Sequence, residues 1–204
     1  MHPKKYNQLK QEVEQLKKLP GQQRGESIKN YIDHVREQEG EEGLEKVKKT
    51  LKEMGFEMDN VEELRDMKWI PETYAHIFFV ASARIFDWRE KEVFELGKSM
   101  ATLSSVSKIF VKFFLSTEKT LKEGVKNWNQ NFSRGSLELK DFDKKKRKGS
   151  LVLKDFDTHP LACIHFQGFF SKMLELITGS KKIKIKEVKC MSQGDEYHEY
   201  RFEY

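Results

Sequence analysis

The spacing of apolar residues changes near Gly124, and this change limits the folds that the chain can adopt. Before Gly124, apolar residues recur every three or four positions, which predicts successive amphipathic helices. After it, the similar stretches 135–143 and 149–157 alternate polar and apolar residues on either side of KKKRK, which predicts a β-hairpin. One helix over about 158–179 and two C-terminal strands follow. This order predicts an α+β fold, in which N-terminal helices are followed by an antiparallel sheet packed against helices.

Three segments are expected within this order. The residues from Tyr6 to Leu16 include apolar side chains at heptad spacing, so 1–20 is predicted to be an amphipathic helix. That helix either docks on the body of the protein or pairs with a second copy, and a homodimer is expected. A helical subdomain follows over 21–69, with two helices joined near EGEEG, and residues 70–204 are expected to form the main domain.

Charge and composition restrict the partners and the compartment. The net charge of +5 comes from 38 basic and 33 acidic residues that are mixed along most of the chain, so no nucleic-acid partner is expected. The run KKKRK at 144–148 is expected to be a solvated hairpin tip, with a contact to nucleic acid or an anionic membrane as the alternative. No apolar run reaches the ~18 residues of a membrane span, and the N-terminus lacks a secretory apolar stretch. Two cysteines cannot form a disulfide framework, so a cytoplasmic protein is expected.

Four side chains near the C-terminus have the chemistry of metal ligands. Cys163 lies in the first turn of the last predicted helix, where the free amides and the helix dipole favour a thiolate. Glu187 and Cys190 flank the end of a strand, and the turn after them returns His198 beside Cys190. Two thiolates, one carboxylate and one imidazole form a set that tetrahedral zinc accepts, whereas two sulfurs disfavour magnesium and calcium.

The spacing of these residues leaves three alternatives open. Residues three apart on a regular strand point to opposite faces, so Glu187 and Cys190 converge only if the strand has a bulge or the turn begins early. Convergence would give a metal site. Without it, the cysteines and His198 are ordinary buried groups, and a disulfide is the third alternative.

The motifs C-x-x-x-x-G in CIHFQG and E-x-x-C in EVKC are followed by a glycine and by a ligand eight residues after the second cysteine. In this pattern, the run from Cys163 to Tyr204 resembles the 4-vinyl reductase domain, and the likeness extends over roughly 70–204. The resemblance implies the ligand-binding fold shared with subunits of the TRAPP vesicle-tethering complex and with the sensor domains of aromatic-responsive transcription activators. It also implies a structural zinc on Cys163, Glu187 and Cys190, with His198 in place of the last cysteine of the family.

The same resemblance implies a function. In the related sensors an apolar pocket between helices and sheet takes a small aromatic or hydrocarbon molecule, while zinc braces the fold. The pocket residues predicted here are Phe110 and Phe114 on one helix, Trp128 at the entry to the first strand and Phe166 on the last helix. The chain is therefore expected to be a sensory or regulatory module that signals through a protein partner or a dimer. A non-catalytic scaffold of the tethering type is the alternative.

No enzymatic activity is expected. The sequence has no dinucleotide fingerprint, P-loop or G-x-S-x-G motif. A zinc ion with four protein ligands also has no open position for a substrate or an activated water.

A second resemblance concerns residues 24–56, which contain the pattern G-x-x-I…V-x-x-x-x-G-x-x-x-L. In this pattern the stretch is similar to the opening of haem nitric-oxide-binding domains. Those domains need a proximal histidine and a Y-x-S-x-R motif against the haem propionates, and this sequence has no Y-x-S-x-R. The N-terminal part is therefore expected to be a helical cover for the domain that follows.

Overall fold

The computed structural model describes residues 1–58, 66–103 and 116–204, which form two compact units, Met1–Glu92 and Val93–Tyr204. The described helices and strands of the first unit are α1 (Pro3–Leu16), β1 (Gln22–Arg24), α2 (Glu26–Glu53), β2 (Trp69–Pro71) and α3 (Glu72–Ile85). Helix α4 (Glu90–Leu103) begins at the end of this unit and continues into the second. The segment limits predicted at residues 20 and 69 stay predictions.

Helix α1 docks on the first unit through its apolar stripe. Leu9, Val13 and Leu16 are buried because their spacing puts all three on one face of the helix. Arg84 on α3 donates two hydrogen bonds to the Glu12 carboxylate, with Nε–Oε2 at 3.0 Å and Nη2–Oε1 at 2.8 Å. Docking, the first of the two alternatives for this helix, is therefore confirmed. The homodimer stays a prediction, and the buried stripe no longer supports it.

The first unit agrees with the predicted pattern in its helices and differs from it in two short strands. The two helices expected around EGEEG are confirmed as the two parts of α2, which are separated by a kink where Gly40 has φ 73° and ψ 179°; the difference lies in the strands. Glycine takes this positive φ without the clash that a Cβ atom would cause. Strands β1 and β2 form a small antiparallel sheet, and each has only three residues, too few for a recognisable alternation.

The second unit is an antiparallel sheet packed against helices. Its described elements after α4 are α5 (Thr117–Asn131), β3 (Ser136–Asp143), β4 (Lys148–Lys154), α6 (Pro160–Thr178), β5 (Lys184–Lys189) and β6 (Tyr197–Glu203). The strand order in the sheet is β3-β4-β6-β5. The predicted α+β class is thus confirmed. Among the described helices, none is long and apolar enough to cross a membrane.

The predicted hairpin is formed by β3 and β4. Leu137 lies opposite Leu153, and Leu139 lies opposite Leu151, so the apolar residues of both strands share one face. Residues 144–148 at its tip are exposed, as expected for a solvated turn.

Aromatic rings fill the core of the second unit between the sheet and α5 and α6. The ring of Trp128 lies within 6.0 Å of the rings of five phenylalanines, measured between centroids. The buried residues of this core are Leu121, Trp128, Leu137, Leu151, Leu153, Phe156, Ala162, Phe166, Phe170, Leu174, Tyr200 and Phe202. Burial of so many large side chains is the main source of stability for this unit.

Helices α4 and α6 touch backbone to backbone through two glycines. A Cβ atom added at Gly97 would lie 2.0 Å from the carbonyl oxygen of His165. One added at Gly168 would lie 2.0 Å from the carbonyl oxygen of Phe94. Both distances are shorter than any non-bonded contact, so the crossing requires glycine at both positions.

Candidate functional site

The beginning of a helix and the end of a strand bring the two cysteines together. The ring of His159 caps α6 by accepting an amide hydrogen bond at 3.2 Å, which places Cys163 in the first turn. Cys190 follows the end of β5 and precedes a single 3-10 turn, Met191–Gln193. The Cys190 amide donates a hydrogen bond to Asp195 Oδ2 at 2.8 Å. Local backbone contacts therefore hold both cysteines in place.

A β-bulge in β5 allows Glu187 and Cys190 to converge, whereas a regular strand would point them to opposite faces. The pairing of β5 with β6 shifts register between Glu187 and Lys189. The extra residue lets Glu187 and Cys190 face the same side of the sheet, as the spacing argument required. His198 on β6 lies next to them.

All four residues predicted as metal ligands meet in one cluster. The Sγ atoms of Cys163 and Cys190 are 3.2 Å apart, and Cys163 Sγ is 3.8 Å from His198 Nδ1. His198 Nδ1 is 2.9 Å from Glu187 Oε1. One possible ligand atom from each residue lies within 4.8 Å of the other three. Glu187 is half-buried and the other three side chains are buried. The structure thus shows the predicted convergence, while metal binding by these residues stays a prediction.

The surroundings of the cluster raise the pKa values of one thiol, Cys163, and of one phenol, Tyr200. Burial raises the pKa of the Cys163 thiol, and its hydrogen bond with Cys190 and the charge of Glu187 raise that pKa further. Burial also raises the pKa of Tyr200, and Glu187 adds to that effect. The Cys163 side chain is therefore a neutral thiol at physiological pH.

Only one of the two ring nitrogens of His198 has a hydrogen-bond partner among the described residues. Since Glu187 can only accept, the 2.9 Å contact assigns the ring proton to Nδ1, which donates to the carboxylate. The other ring nitrogen, His198 Nε2, is buried without a hydrogen-bond partner among the described residues. Such an atom is uncommon in a folded core and marks the cluster as a functional candidate.

The residues predicted to line a ligand pocket have mixed outcomes. Phe110 and Phe114 lie outside the described residues. Trp128 and Phe166 are both buried, and their ring centroids are 5.3 Å apart. Trp128 belongs to α5 rather than to the entry of a strand, and that placement was wrong. The helix continues past Gly124 because Leu121 and Trp128 face the same core, seven residues apart.

A small apolar cavity lies beside Trp128. Its volume is about 40 Å³. Its walls also include residues that the sequence did not single out, among them Val125, Phe169 and Ile177, whereas Phe166 does not contact it. Their helical spacing along α5 and α6 predicts burial, but it cannot show where packing leaves a gap.

Comparison with known proteins gives one consistent result. No family model and no curated protein matches this chain. Among solved structures, an H-NOX protein from S. oneidensis in the Fe(II)NO ligation state matches with a TM-score of 0.64 and 16% identity, over 88% of this chain and 98% of that chain. The Fe(II) unliganded H-NOX protein from K. algicida matches with a TM-score of 0.61 and 11% identity, over 88% of this chain and 95% of that chain. At these identities the likeness shows the fold, which is that of H-NOX (haem nitric-oxide-binding) domains.

The identification as a 4-vinyl reductase domain was therefore wrong. The matching structures are H-NOX domains, and the match extends over most of the chain rather than over roughly 70–204 alone. The error has a physical cause, because a helix followed by a hairpin can present the same short ligand spacing in more than one α+β fold. The N-terminal pattern over 24–56, treated as the weaker resemblance, indicated the correct fold.

The assignment of zinc as the cofactor is corrected with it. Zinc was inferred chiefly from the 4-vinyl reductase likeness, whereas the matching structures include Fe(II) forms of H-NOX proteins and one that probes the function of haem distortion. The structure brings the side chains of Cys163, Glu187, Cys190 and His198 close together. This proximity is not evidence for zinc.

Proposed function

We propose that this chain is a sensory domain that recognises a small molecule and passes the signal to a protein partner, and that it is not an enzyme. One observation supports the proposal: the H-NOX fold extends over 88% of this chain and 98% of a neighbour that was solved with nitric oxide on ferrous iron. The absence of a dinucleotide fingerprint, P-loop or G-x-S-x-G motif agrees with a role in binding rather than catalysis.

Haem is the first ligand to consider, because one of the matching structures was solved to probe the function of haem distortion in the H-NOX family. The donors in this chain do not fit the haem ligation described above. The sequence contains no Y-x-S-x-R motif for the haem propionates. No histidine lies between His76 and His159, so that part of the chain cannot supply a proximal histidine. His76 is a buried residue of α3 whose Nδ1 lies 2.9 Å from the carbonyl oxygen of Glu72. The ring of His165 is buried edge-on against Phe166. Each of these imidazoles is held by its own helix or by the aromatic core.

We therefore place the ligand in the apolar cavity beside Trp128. A cavity of about 150 Å³ holds benzene, so a cavity of about 40 Å³ is too small for the phenols and fatty acids that a larger pocket would accept. A diatomic gas or a single xenon atom has a suitable size. An apolar lining favours such ligands because they lose no hydrogen bonds with water when they enter.

The experiment combines a haemin titration with NMR of ¹³C-labelled methyl groups under xenon or oxygen pressure. We expect no one-to-one Soret band with haemin, and saturable shifts of the methyl signals of Leu121, Val125 and Ile177. The variant Val125→Ile adds a methyl group to the cavity wall and should abolish those shifts. Val188→Ile is the matched control, because Val188 is exposed on β5 and does not contact the cavity.

The outcomes separate the alternatives. A stoichiometric haemin complex would overturn the haem-free part of the proposal. A chain that binds neither haemin nor any gas at the cavity methyls would instead favour the non-catalytic scaffold.

A further inference from the structure

Two basic segments of the second unit lie at the same end of the sheet. Lys148 of β4 and Lys184 of β5 are both opposite Glu203 of β6, one on each side of it. The hairpin tip 144–148 and the segment 181–184 at the start of β5 are therefore neighbours at that end. The name basic end is used here for residues 143–148, 181–184 and 203–204.

The basic end carries the net positive charge of the chain. Eight exposed basic residues belong to it, namely Lys144, Lys145, Lys146, Arg147, Lys148, Lys181, Lys182 and Lys184. Its acidic residues are Asp143 and Glu203, and one oxygen of each lies 3.9 Å from Lys146 Nζ and Lys184 Nζ, respectively. Ion pairs of this length at an exposed surface are weak and leave the surrounding field positive. Eight basic and two acidic residues give a net charge of +6, against +5 for the whole chain, so the remainder is almost neutral.

The side chains of the basic end suit a diffuse anionic surface better than a nucleic acid. Seven of the eight basic residues are lysines, whose compact charges impose no geometry, whereas arginine is the residue that binds phosphate through two parallel hydrogen bonds. Arg147 lies over the ring of Tyr204, with its guanidinium carbon 5.0 Å from the ring centroid. Phe142 stacks on the same ring, with the centroids 6.4 Å apart. Tyr204 therefore packs with protein side chains instead of offering a face to an unpaired base.

A protein partner would find no apolar centre at the basic end. Specific protein interfaces have an apolar core that is rich in aromatic residues. Every exposed residue of the basic end is charged, and Ile183 and Tyr204 are half-buried. A layer of lipid headgroups needs no such core, because each lysine near an anionic bilayer strengthens binding by charge alone, roughly fivefold.

We propose that the basic end binds the surface of a lipid bilayer that contains anionic headgroups of the phosphatidylserine type. Basic clusters of about four to eight residues are of the size that anionic leaflets attract. The lysines contact the headgroups by charge, and since every exposed residue of this end is charged, the protein stays at the surface and binds reversibly. This inference concerns where the protein binds, and it does not depend on the ligand of the proposed sensory function.

The test is co-sedimentation of the full chain with two kinds of vesicle, one of phosphatidylcholine alone and one with about one-third phosphatidylserine. We expect binding only to the vesicles that contain phosphatidylserine. Raising the salt from about 0.1 M to about 1 M shortens the Debye length from about 10 Å to about 3 Å, so it should release the protein. This part of the test needs no variant.

Two matched triple variants then locate the contact. Lys144→Gln, Lys145→Gln and Lys182→Gln together should lower the partition coefficient roughly a hundredfold, since each lysine contributes about fivefold. The control removes the same charge from exposed lysines of the first unit, by the changes Lys10→Gln, Lys18→Gln and Lys49→Gln. It should bind the vesicles as the native chain does. Both variants should keep the native melting temperature, because all the replaced side chains are exposed.

Three results would overturn the proposal. The first is equal binding to both kinds of vesicle, or binding to neither, at about 0.1 M salt. The second is the same loss of binding in both triple variants, because the net charge of the chain, and not the basic end, would then be the cause. The third is a DNA duplex that binds the native chain more tightly than the vesicles do at equal phosphate concentration, which would reassign the basic end to nucleic acid.

Discussion

Replacing Gly97 with alanine should destabilise the protein, although alanine is the better helix former. The added Cβ atom would lie 2.0 Å from the His165 carbonyl oxygen and 2.9 Å from the Phe169 amide nitrogen. A close carbon–oxygen contact needs roughly 3.3 Å, so α4 and α6 would have to separate by about 1 Å. Because the opposing atoms belong to the backbone of α6, no side-chain rotation can relieve the clash.

The magnitude follows from two opposing terms. Intrinsic helix propensity favours alanine over glycine by about 1 kcal/mol. Overpacking a close interface costs about 1–3 kcal/mol, and a separation of the helices also loosens the packing around them. We therefore expect a net loss of about 1–2 kcal/mol in the free energy of unfolding. Gly168→Ala should lower the free energy of unfolding by a similar amount, because its Cβ would lie 2.0 Å from the Phe94 carbonyl oxygen.

The assay is urea unfolding of each variant and of the double variant, with midpoints compared at unchanged slope. The double variant should lose less than the sum of the single losses, because one separation of the helices relieves both clashes. Gly124→Ala is the matched control, because Gly124 is a half-buried residue in the interior of α5. If Gly97→Ala and Gly124→Ala stabilised the protein equally, the close crossing of α4 and α6 would be refuted.

Two further changes should have measurable effects on stability. Trp128→Ala should cost about 3–5 kcal/mol in urea unfolding, whereas Trp128→Phe should cost much less, since the indole N–H has no hydrogen-bond partner among the described residues. A similar loss in both variants would contradict this assignment. Arg201 Nε donates to Glu199 Oε1 at 2.8 Å and lowers the pKa of Glu199 below its ordinary 4.5, so the unfolded chain binds the proton more readily. The pair therefore stabilises the fold above pH 4.5 and less as the pH falls through the lowered pKa, and Glu199→Gln should flatten that part of the pH–stability curve.

Much of the fold could be predicted because it is local. The hairpin of β3 and β4 follows from alternation on either side of an exposed cationic tip, and α6 follows from its apolar spacing and its capping residues. The three-residue strands β1 and β2 have no such signal, because they depend on pairing between distant parts of the chain. The strand order β3-β4-β6-β5 is likewise a product of tertiary packing.

Most of the candidate site could be predicted because three of its four residues are close together in the sequence. The metal or ligand that it binds could not be predicted in this way. Glu187, Cys190 and His198 belong to one hairpin, and a single bulge was enough to bring them together. Only the meeting with Cys163 needed tertiary structure. The choice of zinc required knowledge of the family, which a motif within about 45 residues could not provide. The cavity beside Trp128 could not be predicted from the sequence either, because a gap of about 40 Å³ depends on how a large number of side chains pack together.

The glycine crossing also determines which side of the cysteine cluster can move. Gly168 lies five residues after Cys163 on α6, and its contact with the Phe94 carbonyl leaves that helix no room to move toward α4. The turn from Ser192 to Asp195 is exposed, and Gly194 there has φ 96°. A change in the spacing between the two cysteines should therefore displace this turn and leave α6 in place. Because Phe169 and Phe170 on α6 line the cavity, such a displacement should leave the proposed ligand site unchanged.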